Sequence, residues 1–154
     1  MKTIEGLKNE LDKLSEKMNG KNIIPICVDF DSTMVLSQYP NIICENGNCS
    51  EILKRWTKDY NVGIILNTMR SDDELKIALD WINEKKIPLY GIGENPTQKK
   101  WTNSTKCYGI LSIDDINVGC PLIFNEQYQK YLVDWDKIVE MVEPILIKLN
   151  EYEA

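Results

Sequence analysis

A short apolar run, Ile23-Ile24-Pro25-Ile26-Cys27-Val28, ends on two carboxylates, Asp29 and Asp31, and it limits the folds open to this chain. A run that dry reads as a strand buried on both faces, as at the centre of a parallel sheet. A second run, Val62-Gly63-Ile64-Ile65-Leu66-Asn67-Thr68, follows it, and Leu89–Gly93 and Ile110–Ile113 read as two shorter strands. Helical periodicities separate them. Over residues 3–19, Ile4, Leu7, Leu11, Leu14 and Met18 form one stripe of an amphipathic helix, closed by Gly20 as a C-cap. Residues 50–60 read as a helix capped by Ser50, with Leu53 and Trp56 turned inward. Ser71-Asp72-Asp73-Glu74 is a capping box opening a helix whose inner face is Leu75, Ala78, Leu79 and Ile82. Asp134 opens a last helix bearing Ile138, Val142, Ile145 and Leu149, in which Pro144 predicts a kink or a break. Strands alternating with helices imply right-handed crossovers and a mostly parallel sheet. The expectation is one three-layer α/β domain, with residues 1–20 as an extra N-terminal helix and 21–154 as the body.

The bulk numbers narrow the function. At 154 residues, with 43% hydrophobic and 27% charged residues, the chain is expected to be a soluble globular domain. A net charge of −6 argues against a nucleic-acid partner, which needs basic patches to neutralise phosphates. It leaves room for a small phosphorylated substrate, because a bound cation inverts the local field. No segment approaches the ~20 apolar residues of a membrane span, and the amino terminus lacks the apolar core of a signal peptide. The expectation is a cytoplasmic protein. Five cysteines, at 27, 44, 49, 107 and 120, are an odd number and read as free thiols. Cys27 and Cys107 are expected as packing residues. Cys44 and Cys49 have a C-x4-C spacing that can hold metal, but no second pair of finger spacing and no histidine accompany them. The absence of histidine also excludes Ser-His-Asp and Cys-His mechanisms. Chemistry here must run on carboxylates, hydroxyls, lysines and metal.

Three strand ends carry such groups: Asp29, Asp31 and Thr33 on the first, Thr68 and Arg70 on the second, Asp114 and Asp115 on the fourth. Lys106 precedes the fourth. Open α/β sheets bind ligands outside the carboxyl ends of their strands, so these groups are expected to converge. If the first strand continued, Asp29 and Asp31 would project the same way, roughly 6–7 Å apart at Cα. Such a pair resists desolvation unless a cation or a proton is supplied. A carboxylate can attack phosphorus, and a second one can move the proton. The acids of the fourth strand would complete an oxygen-lined Mg²⁺ site, and a threonine with a lysine would hold the phosphoryl group. The segment Ser32–Cys49 reads as a long irregular loop, a flap over the site, with Tyr39 either a flap contact or packed beneath it.

The constellation resembles the haloacid dehalogenase-like (HAD) superfamily. Asp29-x-Asp31-x-Thr33 is similar to its first motif, Thr68 to its second, Lys106 to its third and Asp114-Asp115 to its fourth. The stretches Leu66–Ser71, Tyr90–Pro96 and Ile113–Leu122 resemble a small capless group of uncharacterised bacterial and phage proteins, and the likeness spans about residues 24–143. It implies a Rossmann-like fold without a large cap domain, and a phosphatase of small phosphorylated substrates. By the same resemblance Asp29 is the nucleophile and Asp31 the general acid/base. Mg²⁺ is bound by Asp29, the backbone carbonyl of Asp31, and Asp114. Asp115 is a further ligand or acceptor, or caps the following turn. Thr68 and Lys106 hold the phosphoryl group, with Lys99 and Lys100 as rivals of Lys106. Arg70 binds substrate phosphate or pairs with Asp72 or Asp73, and Thr33 orients the loop. Two departures stand out: the N-terminal helix, and a lysine unusually close to the fourth motif. Two other readings remain, a phosphate-receiver domain and a non-catalytic interaction protein. The N-terminal helix either packs on the core or pairs with a second chain.

Overall fold

The computed structural model describes residues 2–17 and 23–151, with backbone alone for 14–17. Its core is a parallel four-stranded sheet of β1 (Ile24–Val28), β4 (Val62–Leu66), β5 (Gly91–Ile92) and β6 (Leu111–Ile113), in the order β5-β4-β1-β6. Every residue of β1 and β4 is buried. That explains why their sequences are continuously apolar rather than alternating, since both faces are covered. Pro25 pairs with Gly63 of β4, and the ladder to β6 starts one residue later, at Ile26. β5 is two residues long because Gly91 doubles back: a Cβ there would lie 2.1 Å from the carbonyl oxygen of Glu94.

Four helices cover the sheet: α1 (Ile4–Lys17), α2 (Cys49–Asp59), α3 (Asp72–Glu84) and α4 (Trp135–Glu151). In α1 the stripe turns onto this domain's own core, with Leu7 1% exposed and Ile4 and Leu11 packed beside it. Met18 and the Gly20 cap lie outside the described residues. Trp56 of α2 and Trp135 of α4 meet edge to face, and Arg55 and Trp56 both donate to the Glu143 carboxylate. Asp134 caps α4, its Oδ1 accepting the Lys137 N–H at 3.3 Å. The helix runs through Pro144 as one element, so the expected break is absent.

Other expectations need correction. The segment 32–49 is not irregular, because it holds a hairpin of β2 (Val35–Gln38) and β3 (Asn41–Glu45). A second hairpin, β7 (Leu122–Asn125) with β8 (Lys130–Val133), fills the stretch between β6 and α4. Ser50 lies inside α2, where its hydroxyl donates to Glu45, while Asn48 takes the cap position. Ser71 precedes α3 in an extended conformation but makes no side-chain cap hydrogen bond. The chain is thus a small α/β domain with a mostly parallel core sheet and an N-terminal helix. Among the described residues, no helix is long and apolar enough to cross a membrane.

Candidate active site

The site begins with strand register. Val28 of β1 lies opposite Ile113 of β6, and the Asp29 N–H donates to the Ile113 carbonyl at 2.9 Å. Asp29 and Asp114 therefore leave adjacent parallel strands side by side. Asp29, Asp114 and Asp115 each bring one carboxylate oxygen within 4.8 Å of the others. Burial first, and then the charge of Asp114, pushes the Asp29 carboxyl up to about 7. The Thr33 hydroxyl, donating to Asp29 Oδ2 at 3.0 Å, and the backbone at Phe30 pull the other way without prevailing. Burial also raises Asp115. Crowded carboxylates of this kind are stable as anions when a cation lies among them. Three oxygen donors suit a hard divalent ion such as Mg²⁺, which takes carboxylates and keeps several waters. The chemistry of the trio suits a divalent metal ion, which Asp29, Asp114 and Asp115 would hold.

Asp31 is placed elsewhere. β1 stops at Val28, and the Phe30 carbonyl then accepts the N–H groups of Thr33 (3.2 Å), Met34 (2.8 Å) and Val35 (3.3 Å). That tight turn removes Asp31 from the strand alternation on which a shared direction with Asp29 was expected. Its carboxylate instead takes a two-pronged grip from Arg70, Nε to Oδ2 at 2.8 Å and Nη2 to Oδ1 at 2.7 Å. The Ser37 hydroxyl adds a third donor at 2.7 Å. Burial raises this carboxyl, but Arg70, Ser37 and the charge of Lys130 outweigh it and hold Asp31 below its usual range. The side chain of Asp31 does not join the acidic trio.

Arg70 is corrected too. It pairs with Asp31 rather than with Asp72 or Asp73. The two rivals are exposed in the first turn of α3, where water and the helix N-terminus satisfy them. Half-buried Asp31 needs the charge more. The guanidinium also donates to the carbonyls of Pro40 (2.9 Å) and Glu74 (3.1 Å) and lies between the rings of Phe30 and Tyr39, 5.1 and 5.0 Å from their centroids. With its side chain 0% exposed it has no face left for a substrate phosphate. Tyr39, at the tip of the β2–β3 hairpin, is an arginine-stacked and exposed ring rather than one packed beneath the loop.

Thr68 follows β4 at the same sheet edge, where the neighbouring Asn67 N–H bonds the Val28 carbonyl at 2.9 Å. Its hydroxyl accepts the Arg70 N–H at 3.1 Å. Lys106 is exposed, on a loop pinned by Gln98, whose Nε2 donates to the Lys106 carbonyl at 2.6 Å. Among its rivals, Lys99 pairs with Glu94 at 3.6 Å, and Lys100 is exposed. The turn cap that Asp115 was a candidate for belongs to Asp114, whose Oδ1 accepts the Ile116 N–H at 3.1 Å. Cys49 is buried in the core while Cys44 is exposed. Cys27 and Cys107 meet, their sulfurs 3.9 Å apart.

No family model matches the chain, and neither does any curated protein. Among solved structures it is similar to a conserved protein coded by a locus of Bacteroides thetaiotaomicron. The two are 29% identical with a TM-score of 0.65, and the match covers 80% of this chain and 92% of that one. The shared fold thus spans nearly all of that protein.

Ser37, Asn46 and Lys130 were not legible as site residues. Asn46 is buried and its amide donates to the carbonyls of Thr33 (2.9 Å) and Val133 (2.8 Å), tying the loop after Asp31 to β8. Trp135 reinforces the Thr33 carbonyl at 2.7 Å. Lys130 donates to the Ser37 carbonyl. An asparagine followed by a glycine, as in Asn46-Gly47, reads as a turn residue, and no local pattern marks it as a bridge between distant segments.

Proposed function

We propose that the chain is a Mg²⁺-dependent phosphohydrolase of the HAD type, acting on a small phosphorylated molecule through an aspartyl-phosphate at Asp29. The observation carrying this reading is the convergence of Asp29, Asp114 and Asp115 at the ends of adjacent parallel strands. A bound Mg²⁺ supplies charge stabilisation for the transferring phosphoryl group and keeps Asp29 ionised. Asp29 attacks phosphorus, and the bond from phosphorus to the alcohol oxygen breaks. The departing alkoxide takes a proton from the acid form of Asp31. Water then adds to the phosphoryl group, loses a proton, and releases inorganic phosphate and the free carboxylate. Asp31, held as a carboxylate by Arg70, is in the form that accepts the water's proton. To donate one to the alkoxide it must first be protonated against a guanidinium. Thr68 and Lys106 are the proposed partners of the phosphoryl oxygens. A hairpin rather than a domain stands between β1 and α2, in keeping with an open, capless site.

One observation favours a second reading. Both Asp31 oxygens are occupied by Arg70 and Ser37, and a base so engaged would leave phospho-Asp29 long-lived, as in a receiver domain. One assay separates the two: p-nitrophenyl phosphate with Mg²⁺, alongside Asp29→Asn and Asp31→Asn, with product release and intact mass both followed. Expected are turnover abolished by EDTA and by Asp29→Asn, and a trapped phosphoenzyme in Asp31→Asn. A stable phosphoprotein without turnover would select the receiver. Turnover that survives Asp29→Asn at the original rate would refute the mechanism.

A further inference from the structure

The three apolar side chains that protrude furthest, Val118, Met69 and Ile116, follow the carboxyl ends of β6 and β4. Among the described residues, six large ones are more than half exposed: Val118 105%, Met69 98%, Ile116 82%, Tyr39 62%, Tyr131 61% and Ile123 54%. On the helices the exposed large apolar side chains, Ile77, Met141 and Ile147, reach 42% at most. Scattered apolar residues need no reason, but a concentration does.

The three most exposed belong to segments at the sheet edge that carries the acidic trio. The N–H of Ile116 is bonded to Asp114 itself. Val118 follows in the same turn, closed by the Asn117 N–H on the Asp114 carbonyl at 3.0 Å. Met69 lies between Thr68 and Arg70, just past the β4 end that bonds Val28. Tyr39 lies over the guanidinium that grips Asp31. Cations for a second anionic group are scarce on this rim, because every hydrogen bond of the Arg70 guanidinium goes to Asp31, Pro40 or Glu74.

We propose that this rim is the binding surface for the alcohol half of the substrate, and that the substrate class is an aryl phosphate monoester carrying a single phosphate. That phosphate is the reacting group rests on the proposed function; the apolar, aromatic character of the remainder rests on the rim. Tyr39 gives the aromatic preference. Its ring is fixed on the Arg70 guanidinium and still 62% exposed, a pre-oriented surface on which a second ring stacks without ordering cost.

The test compares phenyl phosphate with 2-naphthyl phosphate, whose leaving groups are of similar basicity, so that their ratio reads contact area rather than reactivity. The second ring adds enough apolar surface for about tenfold in kcat/KM. Met69→Ser, Ile116→Ser and Val118→Ser together should bring the ratio down to about twofold. These side chains are so exposed that the fold tolerates their loss, which an unchanged Tm would verify. In parallel, binding of phenyl- and 2-naphthylphosphonate is followed by ligand fluorescence and should show the same preference and the same loss. A ratio near one, or one that the triple substitution leaves intact, overturns the rim assignment while the phosphatase reading stands. Selective phosphonate binding without turnover of either ester overturns the phosphatase reading and leaves the rim as an aryl site. Neither turnover nor selective binding overturns both.

Discussion

Replacing Arg70 by methionine tests the electrostatic frame of the site most directly. Methionine keeps much of the volume between Phe30 and Tyr39, so the loss is one of charge and hydrogen bonds rather than of packing. Four hydrogen bonds disappear: two from Asp31, and those to the carbonyls of Pro40 and Glu74. Removing one member of a buried ion pair typically costs about 3–5 kcal/mol, because the partner remains as an uncompensated charge. Asp31 keeps Ser37 and the field of Lys130, which places the expected loss at the lower end, about 3 kcal/mol. For a domain of this size that corresponds to roughly 10 °C in Tm.

The pH dependence gives the sharper reading. In the unaltered protein the Asp31 carboxyl is held below its usual range. Its contribution is therefore present above the unfolded carboxylate value, near 4, and is lost as pH falls through the folded one. Without Arg70, burial acts with less opposition and the Asp31 carboxyl moves upward. Its ionisation then destabilises the fold, so the variant gains relative stability as pH drops from 7 toward 4. The gap between the two proteins should be widest near neutrality and close toward pH 3. Urea unfolding at several pH values measures it, and Asp31→Asn in the Arg70→Met background should restore part of the loss. A loss below about 1 kcal/mol, or one that does not vary with pH, would refute the argument that Arg70 is there for Asp31.

Mg²⁺ should raise Tm, and more at pH 8 than at pH 5, because the Asp29 carboxyl, pushed up to about 7, holds a proton in the ion's place at acid pH. Without metal, that raised value makes stability fall as pH climbs from about 4 through 7; an equal Mg²⁺ shift in Asp114→Asn would sink the trio as a metal site. Asn46→Ala should cost about 2 kcal/mol by urea unfolding, since the Val133 carbonyl loses its amide partner in a buried position; a change within error would show that water replaces the amide.

Legibility in the sequence followed the range of the forces involved. β1 and β4 were readable because burial on both faces writes itself into consecutive apolar residues. The β2–β3 hairpin was not, since its strands are short, Ser37 and Gln38 interrupt the apolar pattern, and Tyr39-Pro40-Asn41 reads as loop. In β7 the residues Leu122, Ile123 and Phe124 are all partly exposed, so no alternation marks a buried face. The acidic trio followed from topology: once β1 and β6 are parallel neighbours, Asp29 and Asp114 must meet. The partner of Arg70 did not. Neighbours along the chain favoured Asp72 and Asp73, whereas the pair formed is 39 residues apart and was decided by which carboxylate is deprived of water.

That separation bears on how the site can work. The two acids of Asp29-x-Asp31 leave the strand through a turn that sends them into opposite electrostatic settings, Asp29 among other carboxylates and Asp31 against a guanidinium. Paired acids whose environments push their values apart divide the labour of proton and nucleophile. Here the division runs against a simple assignment, because Asp29, the proposed nucleophile, is the one whose ionisation is disfavoured. A nucleophilic carboxylate near pH 7 then requires a positive charge that no side chain in contact with it supplies, since Arg70 is committed to Asp31. The physical case for a divalent ion therefore rests on a deficit of charge as much as on a cluster of ligands. It follows that Asp115→Asn, which removes one negative charge while keeping the shape, should weaken Mg²⁺ binding and at the same time lower the Asp29 carboxyl. Titration of that carboxyl by NMR in the metal-free protein would show it, and a value that stayed near 7 would mean that burial and Asp114, without Asp115, set it.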